Sequence, residues 1–236
     1  MTDPFSRSGI AGLDRVSFDA GLRGHMQRVF GYMSGGLVLT GILAFIASQP
    51  PLAQALFGSP LRWLLMIAPL GFVMAMNFRM QTISSGSLKT MYWLFCGTMG
   101  LSMGSIFLVY SQASIARAFF ISAATFGGMS LWGYTTKKDL SSMGAFMGMG
   151  LFGIVIASLV NIFLMSSMLQ WMVSVAAVVI FTGMTAWDVQ SIKQTYSEGY
   201  GSEANDKMAV FGALRLYLDF INLMMSLLRL TGDRRN

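Results

Sequence analysis

Near the end of the chain, Arg215, Asp219, Asn222, Ser226 and Arg229 follow one another at steps of four, three, four and three residues. Those steps set all five on one helical face, between apolar neighbours such as Phe220, Ile221, Leu223 and Leu227. A second acid, Asp188, closes an uncharged run from Trp171 to Trp187 and is followed by Gln190 and Lys193. Carboxylates in such surroundings support two kinds of chemistry. They offer hard oxygen ligands, which divalent cations such as Ca2+ prefer. Within hydrogen-bond distance of each other they cannot both ionise cheaply, so one proton is shared and the two titrate as a unit. Protonation then biases which helix contacts are favoured, the physical basis of a pH switch. A structural reading stands beside this one. Arg215 and Asp219, four residues apart, can neutralise each other on their own helix, and Asp188 can be a helix-end charge reaching an interface.

Other chemistries lack their residues. Cys96 is the only cysteine and lies in an apolar run, so no intramolecular disulfide and no thiolate metal cluster can form. His25 is the only histidine, which removes HExxH zinc sites and His–Cys pairs. It precedes the first apolar run and reads as a surface residue. No GxxxxGK[ST] and no strand-associated GxGxxG occurs. Residues 1–27 are polar and include Asp3, Asp14 and Asp19, which argues against a signal or transit peptide.

The acids must be held by something, and composition says what. The 236 residues are 54% hydrophobic and only 11% charged, with mean hydropathy +0.60; soluble domains carry about 25% charge. A membrane-crossing helix needs about 20 mainly apolar residues. Seven stretches qualify, roughly 29–48, 61–80, 88–110, 114–135, 143–166, 168–189 and 208–230. The chain therefore reads as an all-α membrane protein: an N-terminal segment 1–27, a seven-helix domain 28–231 and a short tail 232–236. Pro50-Pro51 and Pro60 mark the first connection, and Pro69 should kink the second span. Glycine pairs at GxxxG spacing (Gly31/Gly35, Gly100/Gly104, Gly144/Gly148) predict close helix approach, the 21 methionines read as adaptable core filler, and Asn161 with Ser158 suggests an interhelical hydrogen bond.

Lysine and arginine near the span ends set orientation. Ten flank one side, with Arg79 and Lys89, Lys137 and Lys138, Lys193 and Lys207 joining four N-terminal arginines; only Arg62 and Arg117 lie in links opposite. That predicts a cytoplasmic N-terminus and explains the net charge of +6 without nucleic acid as a partner. Arg229, Arg234 and Arg235 are discordant. A charge at a helix centre costs about 2.5–3.5 kcal/mol on insertion scales, so the seventh segment either runs through the middle of the bundle or lies in the interface and re-enters.

The stretches SLWGYTTKKDLSSMG (130–144), IASLVNIFL (156–164), FTGMTAWDVQSIKQTY (181–196) and ALRLYLDFINLMMSLLRL (213–230) resemble the Bax inhibitor-1, or transmembrane Bax inhibitor motif, family in its bacterial branch. The likeness covers roughly residues 25–230. It implies seven helices with the last surrounded by two three-helix layers, in the bacterial inner membrane. It also implies a pH-sensitive calcium leak channel in which an aspartate pair joins helices six and seven, here Asp188 and Asp219, with Ca2+ as a transient ligand and permeant ion and with no other cofactor. An arginine near the end of the second helix is a partner in the family; Arg79 is the candidate, and Arg215 is the nearer alternative. Trp187 stands where tyrosine is common and Val189 where threonine is common. Other bacterial members resemble modulators of a membrane-bound AAA protease, so a non-conducting regulator docking through residues 1–27 is the alternative. Enzymatic activity is not expected, because no nucleophile with a plausible base stands out.

Overall fold

The computed structural model describes residues 4–234; the side chains of residues 4–18 and of residue 198 lie outside that description. Eight α-helices follow one another: α1 (Pro4–Ala47), α2 (Pro50–Phe57), α3 (Leu61–Arg79), α4 (Ser85–Val109), α5 (Gln112–Thr135), α6 (Ser141–Leu164), α7 (Ser167–Thr195) and α8 (Gly201–Thr231). All but the short α2 are long and apolar enough to cross a membrane. The helix starts follow local chemistry. Ser84, Ser111 and Ser166 each accept a hydrogen bond from a backbone N–H three residues on, at the amino ends of α4, α5 and α7. The double proline Pro50-Pro51 opens α2, where a missing N–H costs nothing.

The helices form two layers with α8 between them. In one, α4 packs against both α1 and α3; in the other, α7 packs against both α5 and α6. Helix α8 touches α1 and α4 on one side and α5 and α7 on the other. Its buried residues occur all round, among them Ala209, Ala213, Leu216, Tyr217, Phe220, Leu223 and Leu228. By contrast Gly144 is the only buried residue of α6, and Phe152, Ile156 and Phe163 stand exposed for lipid to cover.

Seven crossings divide the connections between two faces. The first face carries the turns at 80–84, 136–140 and 196–200; the second carries those at 48–60, 110–111 and 165–166. The C-terminal tail settles which account of the seventh segment holds. Ser111 N–H donates to the Asp233 carbonyl at 3.1 Å, and Asp233 N–H donates to Ser114 Oγ at 3.0 Å. Those bonds fix the tail beside the α4–α5 turn on the second face, while α8 begins on the first. The helix therefore crosses fully, and the interfacial or re-entrant alternative is set aside.

The glycine pairs are half right. A Cβ on Gly100 would stand 2.7 Å from the Thr40 carbonyl of α1, and one on Gly104 would stand 2.7 Å from the Ala47 Cβ. Gly35 is pressed against Trp93 and Gly144 against Trp187, whereas Gly31 and Gly148 face open space. On the first face, Asp206 of α8 bonds both Arg28 of α1 and Lys89 of α4, each at 2.6 Å. This ties the amino end of the central helix to one layer.

Candidate functional site

Asp188 of α7 and Asp219 of α8 are both buried. Among the described residues no hydrogen bond joins the two acids, and Arg215, one turn before Asp219 on α8, is what meets Asp188. Antiparallel pairing of these helices sets Ile192 against Gly212 and Asp188 against Arg215, whose Nη2 donates to the Asp188 carboxylate. Asp188 is 2% exposed. A buried carboxylate needs a cation and hydrogen bonds, and Arg215 supplies both across the helix pair, with the Trp187 ring 5.0 Å beneath its guanidinium. The Nη1 of Arg215 also reaches Ser191 Oγ at 3.5 Å.

Asp219 lies one turn further along α8 and is 4% exposed. Its Oδ2 is buried and has no hydrogen-bond partner. The four-residue spacing on α8 thus does not produce a local Arg215–Asp219 bond; the guanidinium reaches across to α7 instead. Arg79 ends α3 with an exposed side chain and makes no ion pair among the described residues. The cation on Asp188 is Arg215.

Cavities approach this pair from both faces. On the first face a cavity of about 160 Å³ is lined by His25, Met80, Thr195 and Arg215, among others. On the second, adjoining cavities of about 460 and 290 Å³ lie among α6, α7 and α8. Asn222, Ser226 and Arg229, the outward continuation of the Asp219 stripe, line the smaller of them. The stripe inferred from spacing is therefore a real polar wall, and it leads from the second face to within one turn of Asp219.

Two expectations need correction. His25 is fully buried, not a surface residue; its ring sits 5.3 Å from that of Tyr196 and neither ring nitrogen has a hydrogen-bond partner. Asn161 makes no helix-to-helix bond. Its Oδ1 accepts from the Ser166 N–H at 3.0 Å and closes the α6–α7 turn. Sequence inspection also passed over two polar ties inside the bundle. Thr40 of α1 shares a 2.7 Å hydrogen bond with the Tyr217 hydroxyl of α8. Gln190 of α7 holds the α5–α6 turn, donating to the Lys138 carbonyl and accepting from Leu140 N–H, both at 2.8 Å. A polar residue spaced along an otherwise apolar run was the available signal for each. Among the described residues no three His, Cys, Asp or Glu side chains converge as a metal cluster would require.

Comparison with known proteins finds relatives along almost the whole chain. The family described as "Inhibitor of apoptosis-promoting Bax1" matches residues 22–236. An inner membrane protein of Escherichia coli, YbhL, is 42% identical over 220 residues, covering 92% of this chain and 94% of its own. Uncharacterized proteins of Rickettsia prowazekii and Caulobacter vibrioides are 41% identical over 221 residues and 39% over 242. They cover 93% and 98% of this chain, and 94% and 97% of their own lengths.

Proposed function

The chain belongs to the Bax inhibitor-1 family of membrane proteins, and from that premise we propose that it is a pH-sensitive cation leak channel of the bacterial inner membrane, with Ca2+ as the permeant ion and Asp188 and Asp219 as its gate. One observation carries this reading: two buried carboxylates lie on membrane-length helices α7 and α8, one clamped by Arg215 and the other, a turn from Arg215, with an unpartnered oxygen. A charge at that depth is expensive unless it serves a pathway or a proton relay. On one side a cavity reaches Arg215, the partner of Asp188, and on the other a cavity reaches Asn222, one turn from Asp219.

The residues divide the work. Arg215 holds α7 and α8 together through Asp188, so the closed contact depends on charge. A proton gained or lost on either acid alters the balance against that single guanidinium and hence the helix contact. Asp219 offers the passing cation oxygen that no protein donor occupies. Ca2+ takes six to eight oxygen ligands when held, and two carboxylates, one already committed to Arg215, are too few to retain it. In this reading calcium is cargo, no resident cofactor is required, and the activity is transport and not catalysis. The N-terminus faces the cytoplasm in this reading, with the basic first face inside.

The alternative, a non-conducting regulator of a membrane-bound AAA protease, draws support from α1, which continues as helix back to Pro4, well before the first span. One experiment separates the two: Ca2+ and K+ flux from liposomes holding the purified protein, measured across pH, with and without residues 1–18. We expect Ca2+ flux that varies with pH and survives the deletion. Vesicles no leakier than empty ones at every pH would remove the channel reading and leave the regulator.

A further inference from the structure

The two helix layers close around α8 on one flank and leave a slot on the other. Its walls are α1 and α5, its floor is Phe220 of α8, and its volume is about 1100 Å³. A second cavity of about 320 Å³ continues it towards the second face, sharing Leu37, Gly41, Phe119 and Phe220. Voids of about 300–1,000 Å³ accommodate drug-sized ligands. The rim residues Val38 and Leu131 are exposed at 62% and 65%, so the slot opens sideways into the hydrocarbon.

Its walls are mainly large apolar side chains, but two glycines among them face open space. Gly41 of α1 and Gly127 of α5 both line it, and a Cβ added at either meets no atom within 4 Å. In membrane helices small residues ordinarily mark a close neighbour; here they border a void. Ser130 is on the same wall, 7% exposed, and its hydroxyl has no hydrogen-bond partner. Ser122, two turns earlier on α5, donates to its own helix at the Ala118 carbonyl. A buried hydroxyl left unpaired is costly, so Ser130 lacks an acceptor that belongs in the slot. The first-face mouth is basic. Arg23 and Gln27 line it, and Arg23 is exposed with no ion pair among the described residues. Tyr134 lines it too, and the Lys193 ammonium donates to the Tyr134 carbonyl at 2.9 Å. Lys137 and Lys138 follow just after α5, with Asp139 beside them and Asp19 one turn before Arg23; among the described residues no acid lines the slot.

We propose that this slot is the site of one anionic glycerophospholipid from the leaflet on the first face. Its phosphate sits on Arg23, an ester carbonyl accepts from Ser130 Oγ, and one acyl chain lies along Gly41 and Gly127 to Phe220. The basic mouth selects negative charge, and the apolar depth selects a chain over water. The bound chain touches the residue next to Asp219, on the central helix itself. This site stands whether or not the protein conducts.

Native mass spectrometry of the detergent-purified protein tests it, with phosphatidylglycerol as probe and phosphatidylcholine and inorganic phosphate as parallel arms. We expect one saturable phosphatidylglycerol adduct, weaker retention of phosphatidylcholine and none of inorganic phosphate. Arg23→Gln and Ser130→Ala should each weaken the adduct by about tenfold or less. Gly41→Phe/Gly127→Phe should abolish it with little change in melting temperature, because the added rings enter empty space; Gly127→Leu alone is the milder filler should the pair misfold. An adduct undiminished in the filled slot would overturn the proposal. So would inorganic phosphate displacing the lipid, which marks a free-anion site, or a two-copy mass that Gly127→Leu splits, which marks a dimer interface.

Discussion

Arg215 is the residue on which the two acids depend. Removing one partner of a fully buried ion pair costs about 3–5 kcal/mol, because the other charge is stranded. The Arg215 side chain keeps 39% exposure against 3% for Asp188, so the cost of Arg215→Gln should be smaller, about 2 kcal/mol. Thermal unfolding in detergent would register that, and Asp188→Asn added to Arg215→Gln should recover part of the loss. Equal melting of wild type and Arg215→Gln would mean the pair contributes nothing. For transport, Asp188→Asn and Asp219→Asn should each flatten the pH dependence of Ca2+ flux, the double variant adding little, as for two groups acting as one. Arg79→Ala should leave the pH profile in place, since Asp188 takes its cation from α8. Strictly additive effects of the two asparagines, with pH-dependent flux surviving in the double variant, would return the acids to a structural role. Residue periodicity was enough to place Arg215 and Asp219 on one face. It could not choose the partner of Arg215, because a long guanidinium reaches a neighbour on its own helix and one across the interface equally well. His25 was misjudged for a related reason: Tyr196 covers it from beyond α7, and no local pattern announces that.

Between helices, small residues decide how close the backbones come, and spacing alone does not say on which side. Gly100 meets the Thr40 backbone of α1, while Gly148 meets nothing within 4 Å. Gly100→Val should therefore lower stability by about 1–3 kcal/mol through overpacking, and Gly148→Val should stay within about 0.5 kcal/mol of wild type. Paired melting curves in one detergent would check both; similar losses at the two sites would deny that α1–α4 contact is the tight one. The seven spans were legible because length and hydropathy are dictated by the bilayer. The short α2 was not, since eight residues that begin with a double proline carry too little periodicity to distinguish a helix from a turn.

For the molecule as a whole, the polar stripe on the last span left a central helix and an interfacial one both open, and packing on both sides of α8 decides for the central one, where its charges are shielded from lipid. The three discordant C-terminal arginines left the direction of that crossing open until the tail was seen against the α4–α5 turn. In a Cys96→Ser background, cysteines at Ser202 and Asn236 should react with an impermeant reagent from opposite sides of the membrane. Labelling of both from one side would undo the seven-crossing topology. One consequence follows for biogenesis. The helix that fills the middle leaves the ribosome after the helices of both layers, so the layers enter the bilayer before α8 stands between them. About 46 Å of helix, at 1.5 Å per residue over 31 residues, must then slide into a vacant seam, carrying Asp219 past lipid and bringing Arg215 to Asp188, already in place on α7. A transcript broken after residue 200 would yield six inserted helices and a hollow centre, a product for quality-control proteolysis to clear.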